Sequence, residues 1–163
     1  MPLIVGENTY VSLKEADTYL SRKQLSSSWK RDLDDVLDPP ELIAFQEEIL
    51  IAATAALDRL GFNGSIARYD QPLAWPRMRM RDREGRSIPF NVVPQAVRDA
   101  TCELALHLLS KPEAKPASAV ARKRVGDLEI EYRATLPDPV LPIVRQLLAP
   151  FLAGSPYSVE NAW

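Results

Sequence analysis

The sequence predicts a mainly α-helical fold: a small four-helix bundle with a projecting β-hairpin, one further short strand, and extended N- and C-terminal arms. Three observations predict this fold. Apolar residues recur at helical spacing in four separate segments. The chain has 14 prolines against 6 glycines, and the prolines lie mostly between those segments, where they favour stiff connectors. Because the chain has 163 residues and no internal repeat, we expect a single domain over residues 1–163.

The first helix is predicted over about residues 13–24. Ser12-Leu-Lys-Glu15 has the spacing of a capping box, in which the Ser12 hydroxyl accepts from the Glu15 amide and the Glu15 carboxylate accepts in return. Before this helix, the apolar run at 3–5 indicates a small strand or an anchoring arm. After it comes a polar connector whose single large anchor is Trp29.

The second helix is predicted over about residues 40–60. Asp38-Pro-Pro-Glu41 favours a start there, because proline suits a first turn and an acid complements the helix dipole. The apolar residues that follow form two stripes, so we expect burial on two sides and a central position for this helix. Its small side chains would let another helix approach closely, and Ala52 and Ala56 are therefore candidates for contacts between copies of the chain.

The segment LAWPRMRMRDREGRSIP predicts a β-hairpin over about residues 75–88. Its arginines alternate with other residues at period two, which places Met78 and Met80 on the face opposite the arginines. Glu84 and Gly85 have turn chemistry, since glycine accommodates a positive φ. The Trp75-Pro76 pair is expected to hold the base of the hairpin.

Two more helices are predicted, over about 94–110 and about 139–148. Between them, residues 125–133 alternate apolar and charged side chains, as a half-buried strand does, and no partner strand is evident in the chain. The apolar members of that strand are candidates for contacts between subunits: Leu128, Ile130 and Tyr132. The C-terminal arm, about 149–163, is expected to be extended, with its candidate contact residues Phe151, Tyr157 and Trp163.

Several classes of function are disfavoured by composition and motifs. The chain is 46% hydrophobic and 26% charged, which is typical of a soluble globular protein, and it has no apolar run near the roughly 20 residues that span a bilayer. We therefore expect no membrane partner, and the first residues lack the features of a secretory signal. A single cysteine, Cys102, excludes an internal disulfide and suits a reducing compartment.

No catalytic motif is present. The sequence has no glycine-rich phosphate loop, no nucleophile elbow and no zinc-protease motif, and its only histidine is His107. We expect Cys102 and His107 to have packing roles, and we expect no enzyme activity, no metal-ligating residue and no cofactor.

Charge is concentrated in the predicted hairpin. Residues 77–86 hold five arginines and two acids, a local charge of +3 in a chain of net charge −2. Three interpretations are open: a solvated hairpin, a nucleic-acid arm, because guanidinium groups match phosphate oxygens, and a protein-contact arm that reaches an acidic neighbour. The candidate contact residues are the same for the last two: Arg77, Arg79, Arg81, Arg83, Arg86, Met78, Met80 and Trp75.

The net acidity of the chain counts against a free DNA-binding protein, as does the absence of interleaved aromatic residues other than Trp75. In a ring of subunits the nucleic-acid and protein-contact interpretations merge, because each copy contributes the same charge to a central channel.

The order of several segments resembles the tailed-bacteriophage head–tail adaptor proteins, also called connector or head completion proteins, which are often catalogued as DnaT-like single-stranded-DNA-binding. The segments that carry the resemblance are TYVSLKEADTYL, ALDRLGFNGS, QPLAWPRMRMRDREGRSIP, VPQAVRDATCELALHLL and RVGDLEIEYR. They cover nearly the whole chain, and YVSLKEAD and the AWPR–DREGR–IP run are the most specific.

This resemblance implies a structural adaptor that assembles as a ring, commonly twelvefold, in the neck of the virion after synthesis in the host bacterial cytoplasm. The ring would dock under the portal protein, link it to neck or tail proteins, and surround the double-stranded genomic DNA. By the same resemblance, the segment 75–89 would contact the portal, a neighbouring subunit or DNA. The alternative function is that of a single-stranded-DNA-binding accessory protein in replication.

Overall fold

The computed structural model describes residues 1–25, 29, 38–110 and 142–154, and within these ranges the fold is mainly helical, as predicted. The helices are α1 (Leu13–Arg22), α2 (Pro39–Asp58), α3 (Gln95–Ser110) and α4 (Pro142–Leu148). Two short strands, β1 (Ser65–Ile66) and β2 (Arg77–Met78), form an antiparallel pair between α2 and α3. None of the helices in the described ranges combines the length and the apolar character needed to cross a membrane.

The core lies where α3 packs against α2 and α4 and, less extensively, against α1. Its fully buried side chains come from every helix, among them Leu20, Leu50, Leu57, Leu104, Val144 and Leu148. Both predicted apolar stripes of α2 contribute buried side chains. In the second stripe, Leu50 and Leu57 are fully buried, but Ile43 is 48% exposed. The second stripe therefore becomes buried only after the first turn of the helix.

Local signals at the helix starts predicted the structure well. The capping box is present, since the Ser12 hydroxyl accepts from the Glu15 amide at 3.2 Å and the Ser12 amide donates to a Glu15 carboxylate oxygen at 2.7 Å. Asp38 is the N-cap of α2, with prolines in the first turn. Trp29 is fully buried, and its indole N–H donates to Asp17 at 2.9 Å, so its predicted role as an anchor is confirmed.

The strand pairing differs from the prediction. β2 pairs with β1, which precedes it by more than ten residues, in the register Ser65 with Met78 and Ile66 with Arg77. The predicted reversal at 82–86 does occur: Arg81 forms a bridge with Ser87, and the Ile88 amide donates to the Met80 carbonyl at 2.9 Å. The prediction of a hairpin over 75–88 is thus correct for the turn. It is incomplete because it lacks β1, the strand that pairs with β2, and the residue pattern of 75–88 contains no information about β1.

The prediction that Met78 and Met80 lie on the same face is wrong. Met80 is buried in the core, whereas Met78 is 37% exposed. Arg79 between them has a φ of +58°, which is outside the strand region. The strand alternation is therefore interrupted at Arg79, and the two methionine side chains point in different directions.

The predicted extended C-terminal arm is also wrong over residues 149–154. Phe151 is buried, its carbonyl accepts from the Asn63 amide at 2.8 Å, and the Ala153 amide donates to the Gly61 carbonyl at 2.8 Å. This part of the chain therefore packs back on the core, because Phe151 has an apolar site to fill. The predicted strand 125–133 with Leu128, Ile130 and Tyr132, the first residues of the fourth helix, and Tyr157 and Trp163 lie outside the described residues.

Candidate nucleic-acid interface

The segment that carries the arginines rests on a buried aromatic cluster. Trp75 is 2% exposed, and its ring meets Phe62 and Phe151 edge to face, with centroids 5.7 and 5.3 Å apart. The peptide bond from Trp75 to Pro76 is cis. Trp75 was predicted as a candidate for partner contact, but it is buried and serves as the foundation of the loop instead.

A buried polar network fixes the same segment from the other side. The Tyr10 hydroxyl donates to one oxygen of the Asp58 carboxylate and accepts from the Trp75 amide, and the Ala74 amide donates to the other oxygen of Asp58 at 3.0 Å. Burial raises the pKa of Asp58 above its ordinary value, although the bonds from Tyr10 and Ala74 oppose this shift. Burial likewise raises the pKa of Tyr10, so the phenol keeps its proton and its role as a donor.

The first arginine of the run, Arg77, points inward. Its guanidinium donates to the backbone carbonyls of Asn63 at 2.7 Å and of Ala74 and Gly64 at 3.1 Å each. Desolvation lowers the pKa of Arg77, while the nearby Tyr10 and Asp58 oppose the shift. Arg77 therefore crosslinks residues 63–64 to Ala74, and its predicted availability for a partner is wrong.

The remaining four arginines are exposed, and we call residues 77–86 the arginine loop. Arg86 pairs with Asp82 at 2.7 Å, which raises the pKa of its guanidinium. Arg81 and Arg83 each donate from one nitrogen to a carbonyl, of Gly85 at 2.7 Å and of Gln146 at 2.9 Å respectively. The Arg79 side chain has no hydrogen-bond or ion-pair partner among the described residues, so Arg79, Arg81 and Arg83 retain guanidinium nitrogens for a ligand.

Two aromatic side chains that the sequence analysis did not select are exposed close to the arginine loop in the chain. Tyr69, between β1 and β2, is 99% exposed, and Phe90 is 63% exposed. The bond from Ile88 to Met80 brings the chain just before Phe90 alongside β2 and the exposed Met78. The signal for both aromatics was their position among turn-forming residues, in RYDQP and in PFN, where no helical or strand pattern would bury them.

The other candidates from the sequence are mostly structural. Ala56 is buried in the core and Ala52 is half-buried, so of the two only Ala52 has surface to offer another copy of the chain. Cys102 is buried, and desolvation raises the pKa of its thiol to about 12, as expected for a packing residue. Within the described residues no group of three histidine, cysteine, aspartate or glutamate side chains is placed to hold a metal ion.

Comparison with known proteins gives one family match. Residues 2–162 match the family described as "Putative DnaT-like ssDNA binding protein". The DnaT-like part of the resemblance inferred from the sequence is thereby confirmed, and the comparison contains nothing on a head–tail adaptor role. No curated protein and no solved structure matches the chain.

Proposed function

Because the chain belongs to the family described as "Putative DnaT-like ssDNA binding protein", we propose that it binds single-stranded DNA through the arginine loop and the exposed aromatic side chains beside it. The observation that carries this proposal is the combination, within residues 69–90, of guanidinium groups with unbonded nitrogens and exposed rings. Arg79, Arg81 and Arg83 supply the first, and Phe90 and Tyr69 supply the second.

The chemistry of the two groups matches the two parts of a single strand. Guanidinium groups bind phosphate oxygens without regard to sequence, and aromatic rings stack on bases, which contributes roughly 1–3 kcal/mol per base. The buried cluster under Trp75 and the carbonyl bonds of Arg77 hold the loop in place. Because the loop is held before binding, less conformational entropy is lost when the strand binds.

The experiment measures fluorescence anisotropy of a labelled oligodeoxythymidine with the full chain over a range of salt concentrations. If about three phosphates are neutralised, log K should fall with log salt at a slope of about −2. R79A/R81A/R83A should abolish most of that slope, whereas R79K/R81K/R83K, which keeps the charge, should retain it. Equal affinity of the alanine variant and the unmodified protein would refute the proposed site.

The aromatic contribution is tested separately by Phe90→Leu, which keeps an apolar side chain and removes the ring. Loss of stacking should weaken binding about fivefold or more with the salt slope unchanged. Tyr69→Leu tests the second ring in the same way. An unchanged affinity in both variants would show that binding is electrostatic only.

The second candidate function is a structural, non-catalytic head–tail adaptor of a tailed bacteriophage, located in the neck of the virion. The resemblance in segment order supports it. Val92, Ile143 and Ile43 are 38–48% exposed and are candidate contact residues for other copies of the chain. In this proposal copies of the chain form a ring that binds the portal and the neck or tail proteins, and double-stranded DNA passes through the lumen. Exposed apolar surface of this kind is typical of protein contact sites when it is contiguous.

Mass photometry of the purified chain, alone and mixed with a portal protein, separates the two candidates. A ring in either sample together with weak binding of oligodeoxythymidine favours the adaptor. A monomer in both samples together with salt-dependent binding of the oligonucleotide favours the single-stranded-DNA-binding function.

A further inference from the structure

A cavity of about 470 Å3 lies between α1 and α3, away from the arginine loop in the chain. On α1 it is lined by Lys14, Thr18 and Arg22, which follow one another at intervals of four residues and so share one face of the helix. On α3 it is lined by Arg98 and Asp99, among others. A cavity of this volume is within the range that holds small-molecule ligands.

The two helices are crosslinked around the cavity. Arg98 donates to Glu15 at 3.0 Å, the Tyr19 hydroxyl donates to Glu103 at 2.7 Å, and Lys23 is bonded to the same carboxylate of Glu103. Hydrogen bonding to Glu103 raises the pKa of Lys23, so its ammonium stays charged. The walls are thereby fixed, and a ligand would enter a preformed site.

The charged side chains of the cavity lining that take no part in these crosslinks are mainly positive. Lys14 and Arg22 have no hydrogen-bond or ion-pair partner among the described residues. Asp99, which accepts from the neutral Gln95 amide at 2.9 Å, is the single acid of the lining without a cationic partner in the described part of the chain, so the unpaired cations outnumber it two to one. Arg98 offers a further donor, because among the described residues only one of its two terminal guanidinium nitrogens is bonded, to Glu15 at 3.0 Å. A phosphate oxygen that accepts from the other terminal nitrogen would form a charge-assisted hydrogen bond.

The rest of the lining is less polar. Val11, the ring of Tyr19 and the thiol of Cys102 also line the cavity. A phosphate group alone would leave these side chains without contact, whereas a ligand that carries a phosphate on a larger organic body would meet both kinds of surface. We propose that this cavity binds a nucleotide, with its phosphate at Lys14, Arg22 and Arg98 and its nucleoside against the less polar wall.

The test is isothermal titration calorimetry of the full chain with three probes: thymidine monophosphate, thymidine and inorganic phosphate. We expect the nucleotide to bind at one site and each of the other two to bind at least about tenfold more weakly, because each supplies half of the contacts. Phosphate binding as tightly as the nucleotide would overturn the proposal, and so would failure of the nucleotide to bind at millimolar concentration.

Variants assign the site. K14A/R22A should weaken nucleotide binding at least about tenfold, and Thr18→Glu, which adds a negative charge to the wall, should weaken it relative to its uncharged match Thr18→Gln. All three positions are exposed on α1, so the fold should be retained. Unchanged binding in both K14A/R22A and Thr18→Glu would overturn the proposal.

The site is independent of the proposed DNA interface. R79A/R81A/R83A should leave binding of the mononucleotide unchanged while it weakens binding of the oligonucleotide. Loss of mononucleotide binding in that variant would place the ligand on the arginine loop and overturn the assignment to the cavity.

Discussion

Arg77 and Arg79 are separated by one residue and have opposite roles. Arg77 lies beside the aromatic cluster of Trp75, where its guanidinium donates to three backbone carbonyls. Arg79 takes a positive φ and leaves its side chain in solvent. The sequence presents both as members of one alternating run, and only the burial of the surrounding backbone distinguishes the crosslinking arginine from the exposed one.

This difference predicts different effects on stability. Arg77→Ala should lower the free energy of unfolding by about 1–3 kcal/mol, because the part-buried carbonyls of Asn63 and Ala74 lose a charged donor that water replaces only in part. Arg79→Ala should change it by no more than about 0.5 kcal/mol. Urea denaturation followed by circular dichroism measures both. Arg77→Lys is the control: it keeps the charge but cannot span three carbonyls, so wild-type stability of that variant would contradict the crosslinking role.

A second prediction at this scale concerns Gly64. Its φ is +67°, and an added Cβ would lie 2.2 Å from the Met78 carbonyl oxygen and 2.8 Å from the sulfur of Met80. Gly64→Ala should therefore force β1 away from β2. The loss of stability should exceed the roughly 1–2 kcal/mol that an alanine costs in the left-handed conformation without any close contact. Gly85 is the matched control, since its φ is +79° and nothing lies within 4 Å of an added Cβ. Equal losses in Gly64→Ala and Gly85→Ala, measured by urea denaturation, would show that contact with β2 is unimportant.

At the scale of elements, the helices were predictable and the strand pair was not. A helix depends on residues within a few positions of one another, so Ser12 with Glu15 and the prolines after Asp38 marked their helix starts from sequence. The pairing of Ile66 with Arg77 joins residues that no local pattern relates. The arginine loop was therefore located correctly, while its partner strand and the exposed aromatics beside it were not.

The capping box gives a prediction with a defined pH dependence. The bond from the Ser12 backbone amide lowers the pKa of Glu15 below its ordinary value of 4.5; burial opposes this, while the Ser12 hydroxyl and Arg98 contribute to it. A lowered folded-state pKa means that the stabilisation is fully present above pH 4.5 and is lost as the pH falls through the folded-state pKa. Glu15→Gln should therefore be less stable than the unmodified protein at pH 7, with the gap closing as the pH falls below about 4.5.

Ser12→Ala tests the other half of the same box. It should cost about 1 kcal/mol through loss of the cap acceptor. Urea titrations of the three proteins between neutral and acid pH measure both effects. A gap between Glu15→Gln and the unmodified protein that is constant over the whole pH range would contradict the assigned role of the carboxylate.

At the scale of the molecule, the arginine loop depends on a segment far from it in sequence. Phe151 follows α4, yet it fills the space beside Trp75, and the Phe62–Leu152 bridge holds the two parts of the chain together. Arg83 adds a bond from the arginine loop to the Gln146 carbonyl on α4. The sequence predicts an extended arm at Phe151, since packing against a distant tryptophan leaves no local pattern.

This arrangement predicts that Phe151 stabilises the arginine loop as well as the core. Phe151→Ala should lower the free energy of unfolding by about 3–5 kcal/mol, since it removes a buried aromatic side chain and leaves a cavity beside Trp75. Phe151→Leu, which fills part of that space, should cost less. In native-state hydrogen exchange, the Asn63 amide, which is bonded to the Phe151 carbonyl at 2.8 Å, should lose protection in Phe151→Ala. If Phe151→Ala remains within about 1 kcal/mol of the unmodified protein and Asn63 keeps its protection, the C-terminal turn does not support the loop. The arginine loop would then have to be stabilised by Tyr10, Asp58 and Arg77 alone.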